Sequence, residues 1–197
     1  MRLAVCDKLG DELHVAAAAG AFGDEPSVAV LDVRDAPAAL EFVESVGEQW
    51  GRVDVLVNNA GGGFHAPFLD VTDKGQGALV AENFTQVATM IRACVPLMSN
   101  GGSIINVTSI EAHRAGPGFA VYSAMKAAVT SLSKSLALEL ADLRIRVNCV
   151  APDMIPTEGD ADLVAASGAL SEAAGGYEQP WPDGGGPVDC ANAVVYL

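Results

Sequence analysis

Short runs of apolar, largely β-branched residues punctuate this chain at residues 2–7, 27–33, 53–57, 103–108 and 145–150, and helical stretches separate them. The third run, Val-Asp-Val-Leu-Val, has the composition of a strand buried on both faces of a parallel sheet. Residues 9–21 are Ala-rich and helix-forming. In the next stretch Leu40, Phe42, Val43 and Val46 recur at helical spacing as far as about residue 49, with Asp35 placed to cap and Pro37 suited to the first turn. Residues 77–98 and 121–140 read as two further helices, and residues 188–197 as the start of another. Strands alternating with helices predict an α/β fold, a three-layer, doubly wound parallel sheet.

A chain of 197 residues, 50% of them hydrophobic, can bury one sizeable core, and residues 1–197 read as a single domain. Twenty-five acidic against 11 basic residues leave a formal charge of −14, which argues against nucleic acid and anionic membranes, both of which require basic patches. Cys6, Cys94, Cys149 and Cys190 are scattered, with no Cys-x-x-Cys, and are expected as buried thiols in a reducing compartment. No apolar run approaches the length of a membrane span, and the N-terminus lacks the pattern of a secretory signal, so a cytoplasmic location is expected. His14 and His65 have no metal-ligand companions at useful spacing, and no metal site is expected.

The chemistry concentrates between Ser109 and Lys126. The fourth apolar run delivers Ser109, a loop punctuated by Gly and Pro follows, and Tyr122 opens a helical segment. Tyr122 and Lys126 are four apart, so on a helix they lie on one face. An ammonium ion beside a phenol stabilises its anion and draws its pKa from roughly 10 toward neutrality, so that the Tyr can exchange protons near pH 7. Ser109 stands thirteen residues before Tyr122, Asn83 lies upstream in Glu82-Asn83-Phe84, and Asn58-Asn59-Ala60-Gly61 follows the third run. Together these residues resemble the short-chain dehydrogenase/reductase family, whose pattern is Asn-Asn-Ala-Gly, then Asn, Ser and Tyr-x-x-x-Lys in that order.

The resemblance covers nearly the whole chain and implies a Rossmann-like sheet and hydride transfer between a nicotinamide and a ketone or secondary alcohol. It implies Tyr122 as general acid/base, Ser109 as the hydrogen bond to the reacting oxygen, Lys126 as holder of the nicotinamide ribose, and Asn83 as anchor of a water in the proton relay. Cofactor contacts would come from Asp7, Asp32, Val33, Asn59, Ala60, Gly61, Ile155 and Thr157, besides Tyr122 and Lys126. A carboxylate at Asp7 favours NAD over NADP, since it accepts from a ribose hydroxyl and repels a 2′-phosphate. Glu111, His113 and Phe119 would line the substrate pocket, residues 158–187 would form a lid, and the 122–140 helix would pair subunits in a homo- or hetero-oligomer.

Three departures from the pattern stand out. Glu82 replaces an apolar residue before Asn83, Asp153 replaces a Gly, and the family's Thr-Gly-x-x-x-Gly-x-Gly turn, which receives the cofactor pyrophosphate, has no counterpart. Asp7 precedes Asp32 by 25 residues, a spacing that fits the family's second strand and not its first, so an incomplete copy that also stops before the last strand is expected. In the family's strand order, 3-2-1-4-5-6-7, the first strand lies mid-sheet. Without it, the strands ending at Asp7 and at Val57 either close up and pair or leave a slot with two unpaired edges. Two other functions fit the same departures: a non-catalytic subunit of this fold, and a cofactor-independent lyase or isomerase using Ser109 and Tyr122.

Overall fold

Every apolar run becomes a parallel strand, and a helix returns the chain between successive strands. The computed structural model describes residues 2–23, 25–153, 155 and 185–197. In chain order these form β1 (Ala4–Asp7), α1 (Gly10–Ala18), β2 (Ser27–Val30), α2 (Ala36–Trp50), β3 (Val55–Asn58), α3 (Asp73–Val80), α4 (Gln86–Cys94), β4 (Gly102–Val107), α5 (Ala120–Glu139), β5 (Ile145–Val150) and α6 (Pro187–Tyr196). None of these helices is long and apolar enough to cross a membrane. The expected lid lies almost wholly outside the described residues.

Local chemistry sets the boundaries. Asp35 caps α2 by accepting from the Ala38 amide at 3.3 Å, and Gly51, at φ 73°, ends it in the left-handed conformation that glycine adopts without cost. The second strand stops at Val30, short of the expected residue 33, because the Asp32 carboxylate turns the chain by accepting from the Arg34 amide. The helix expected over 77–98 begins earlier, at Asp73, where the Thr72 hydroxyl accepts from the Gly75 amide at 3.1 Å. Gly75 serves that start: a Cβ there would meet the Phe64 ring at 3.1 Å. Between α3 and α4 the helix widens into a π turn over Ala81–Thr85, a feature that no period in the sequence announces.

The strands do not join into one sheet. β1 pairs with β2, and β3, β4 and β5 form a separate three-stranded sheet in the order β3-β4-β5, all parallel. Of the two outcomes the strand order allowed, the slot between β1 and β3 stays open among the described residues. One face of the larger sheet builds the core: Leu56, Ile104 and Val147 pack with Val43 of α2, Val87, Ile91 and Cys94 of α4, and Val129 of α5. Ile104 is fully buried, and a side chain of its size contributes about 1.5–3 kcal/mol by leaving water.

On the other face Ile105 is buried, and Ser103 Oγ donates at 3.3 Å to the carbonyl of Leu197, the residue that follows α6. β3 departs from the expectation of burial on both faces. Leu56 and Asn58 are buried but Val55 and Val57 are 53% and 40% exposed, because they point to the opposite face of the sheet, which the described elements leave uncovered at β3. The thiols also differ from expectation. Cys94 is buried, whereas Cys6, Cys149 and Cys190 are half-buried, since their elements lie near the open slot or the periphery.

Candidate active site

The C-terminal ends of β3 and β4 and the start of α5 converge, as crevices in open α/β sheets do. Beneath them runs a buried polar ladder. Asn58 at the end of β3 donates to Asn106 of β4 at 2.8 Å, Asn106 donates to Ser133 Oγ of α5 at 2.8 Å, and Ser133 donates to the Val129 carbonyl at 2.7 Å. Asn106 is fully buried, so this ladder fixes the strand ends and α5 to one another.

Above the ladder, Lys126 is buried and its Nζ donates to the Val107 carbonyl at 2.9 Å. The ammonium lies 5.6 Å from the centroid of the Tyr122 ring, so the two side chains meet one turn apart as their spacing required. Burial pushes the Lys126 pKa down to about 8, with the Glu82 carboxylate opposing the fall. Ser109 is buried at the exit of β4, where its Oγ accepts from the Glu111 amide at 3.2 Å and caps the short turn Ile110–Ala112. That turn packs against α5 near its start, where the Glu111 carboxylate and Ser123 Oγ approach the same point beside Gly116, and this brings Ser109 to the Tyr122 end of the helix.

Asn83 occupies the π turn and is buried. Its Nδ2 donates to the Gly62 carbonyl at 2.8 Å and to the Leu79 carbonyl at 3.0 Å, and its Oδ1 accepts from the Gly62 amide at 3.2 Å. Gln86, one turn on, donates to the Ala60 carbonyl at 2.9 Å. The 60–62 turn is therefore held by two side chains of one helix. Asn59, Ala60 and Gly61 keep their outer surface exposed. A Cβ on Gly61 would lie 3.0 Å from both Asn83 Oδ1 and Lys126 Nζ, and one on Gly63 would lie 3.2 Å from the Tyr122 ring. The glycines admit backbone where side chains already crowd.

The remaining expected residues are spread around this centre. Asp7, exposed at the end of β1, accepts from the Leu9 amide at 2.9 Å. Asp32 is clasped by Arg34, whose Nε donates at 2.9 Å, and this partner holds the carboxyl at about 2. Val33 is half-buried beside it. Ile155 packs against Gly185, and Thr157 lies outside the described residues. Phe119 stands beside Tyr122, with ring centroids 6.3 Å apart. Glu111 accepts from Arg114 Nε at 2.9 Å, while His113 is exposed on the surface of its turn.

Three contributors were not legible beforehand. His65, read only as lacking metal companions, packs edge-on against Phe119 at 5.4 Å and covers Gly118. Arg114 bridges Glu111 and Asp153, at 2.9 Å to each, tying the loop after β4 to the segment after β5. Asp153 thus has a partner, and among the described residues Arg144 is the non-glycine with positive φ, so Asp153 does not take the left-handed backbone that a Gly would permit. The Asn106–Ser133 link is the third. Nothing in its spacing of 27 residues marks it as a contact.

The family model described as Enoyl-(Acyl carrier protein) reductase matches residues 1–197. An uncharacterized oxidoreductase of Methylorubrum extorquens is 36% identical over 190 residues, 96% of this chain and 76% of that protein. A 3-oxoacyl-(acyl-carrier-protein) reductase of Thermotoga maritima is 40% identical over 130 residues, 65% of this chain and 53% of that protein. Among solved structures, a short-chain dehydrogenase/reductase of Burkholderia xenovorans superimposes with TM-score 0.87 at 26% identity, over 98% of this chain and 76% of that one. A 7α-hydroxysteroid dehydrogenase complexed with NADH and a 7-oxo bile acid superimposes with TM-score 0.87 at 27% identity, with the same coverage. The chain thus spans between about half and about three quarters of the length of these relatives.

Proposed function

The chain belongs to the short-chain dehydrogenase/reductase family, and from that premise we propose that it is an NAD-dependent oxidoreductase interconverting a ketone and a secondary alcohol. The observation that carries this reading is the stacking of a buried Lys126 ammonium 5.6 Å from the Tyr122 ring, with Ser109 at the same end of α5.

The residues fit the two ends of a nicotinamide dinucleotide. Exposed Asp7 and half-buried Asp32 offer carboxylates to an adenosine, while Lys126 is a buried cationic donor suited to ribose hydroxyls. Among the described residues no glycine-rich strand-to-helix turn is present for the pyrophosphate. When bound, the nicotinamide supplies or accepts the hydride.

The chain's own groups handle the oxygen. Ser109 Oγ spends a lone pair on the Glu111 amide, which leaves its proton to be donated to the substrate oxygen. Tyr122 gives that oxygen a proton during reduction and removes it during oxidation, and Lys126 stabilises the phenolate between the two states. Asn83, fixed by the Gly62 backbone, orients the relay that returns the proton. Phe119 and His65 supply an aromatic wall for the substrate.

NAD is read over NADP because the exposed Asp7 carboxylate would accept from a ribose 2′-hydroxyl and repel a 2′-phosphate, while of the two cations near Asp32, Lys8 and Arg34, the second is already engaged by it. The exposure of Leu138, 82%, supports α5 as the face through which copies, or a copy and a homologue, would pair. Titration with NADH and NADPH, followed by quenching of protein fluorescence, tests the cofactor reading: NADH is expected to bind more tightly. No binding at millimolar cofactor overturns it and leaves a non-catalytic subunit or a cofactor-independent lyase or isomerase.

A further inference from the structure

Glu82 stands directly before Asn83 in the π turn, and its carboxylate reaches Gly62. A Cβ on Gly62 would lie 3.3 Å from Glu82 Oε1, while one on Gly61 would lie 3.0 Å from Lys126 Nζ. Two side chains of opposite charge, one from the π turn and one from α5, therefore reach adjacent residues of a single exposed turn. The hydrogen-bond acceptor of Lys126 is the Val107 carbonyl, which carries no net charge. A buried ammonium held only by carbonyls and amides loses its proton easily.

The charge that opposes this loss is that of Glu82. Among the described residues Glu82 also acts on Arg34, beyond β2, whose fork is occupied by Asp32. Asn83 beside Lys126 is uncharged, and Tyr122 shares its helix face. We infer that Glu82 is a positioning residue, whose carboxylate supplies, across the Gly61–Gly62 turn, the counter-charge that keeps the Lys126 ammonium protonated, and that it thereby acts on Tyr122 through Lys126. The catalytic meaning of this contact rests on the function proposed above, whereas the electrostatic contact belongs to the chain without cofactor.

The test uses the intact chain labelled with 13C at the lysine ε carbons, without cofactor, with Lys126→Arg identifying the signal. Glu82→Gln is expected to lower the Lys126 titration midpoint by about one pH unit, and Glu82→Asp, which withdraws the charge by one methylene, to lower it by less. An unchanged or raised midpoint in Glu82→Gln overturns the inference. If that variant does not fold, a midpoint in Glu82→Asp that fails to fall does the same. In turnover the alkaline limb of kcat/KM is expected to move down with the NMR midpoint. Failure of NADH to bind would sink the proposed function and leave the titration result standing, so the two failures are distinguishable.

Discussion

A cation is costly to bury, and Lys126 carries that cost at the centre of the site. In the unfolded chain its amine holds a proton up to about 10.5, in the folded chain only to about 8. The folded state therefore binds fewer protons between these values, so the penalty is fully present below pH 8 and is relieved as the pH climbs to about 10.5. Its size is about 3 kcal/mol, and denaturant unfolding at pH 7.5 and pH 10 should register the gain in the wild type relative to Lys126→Met, which has no such proton to lose. Tyr122 makes a different prediction, one of chemistry instead of stability. Tyr122→Phe keeps the ring packed over Gly63 and beside Phe119 but deletes the acid, so turnover should fall on the order of 10²- to 10⁴-fold with an unchanged circular dichroism spectrum. Unaltered turnover would remove this residue from the mechanism.

Helix and strand meet through polar contacts that are individually modest and jointly decisive. The π turn directs Asn83 onto Gly62, and Gln86 reaches Ala60 from the next turn, so the loop after β3 is fastened to one helix. Asn106→Leu, in contrast, strands Asn58 and Ser133 without their partner in a buried ladder and should cost about 1–3 kcal/mol in chemical denaturation. Gly61→Ala tests the close approach of backbone to the site: its methyl would push aside Asn83 Oδ1 and Lys126 Nζ, and NADH binding should weaken at least as much as stability does. The Tyr-x-x-x-Lys pair was legible because helical spacing alone brings positions four apart together. The π turn was not, since no apolar period marks a local widening of the helix, and neither were the His65–Phe119 contact and the Arg114 bridge, which depend on side chains meeting across distinct segments.

At the scale of the molecule, the division of the strands into two sheets is the dominant feature. β4 has a strand on each side, whereas β1 and β3 each present an open edge to the slot between them. Hydrogen exchange should follow that division, with β4 amides protected longest and β1 and the outer edge of β3 exchanging early. Equal protection across the five strands would contradict the open slot. The bare Val55 and Val57 belong to the same picture: a sequence suited to burial on both faces finds cover on one.

Periodicity and spacing by themselves determined the alternation of strands and helices, the Tyr122–Lys126 stacking and the order of the site residues, because these follow from geometry within a few residues of chain. Tertiary structure alone decided that the Lys126 ammonium is buried with Glu82 as its opposing charge, that Asp153 answers to Arg114, and that, among the described residues, β1 and β3 do not pair with each other. Each of these depends on which distant segments come within reach of one another, and the energy of a charge or an unpaired edge is set by its surroundings, which a linear pattern does not contain.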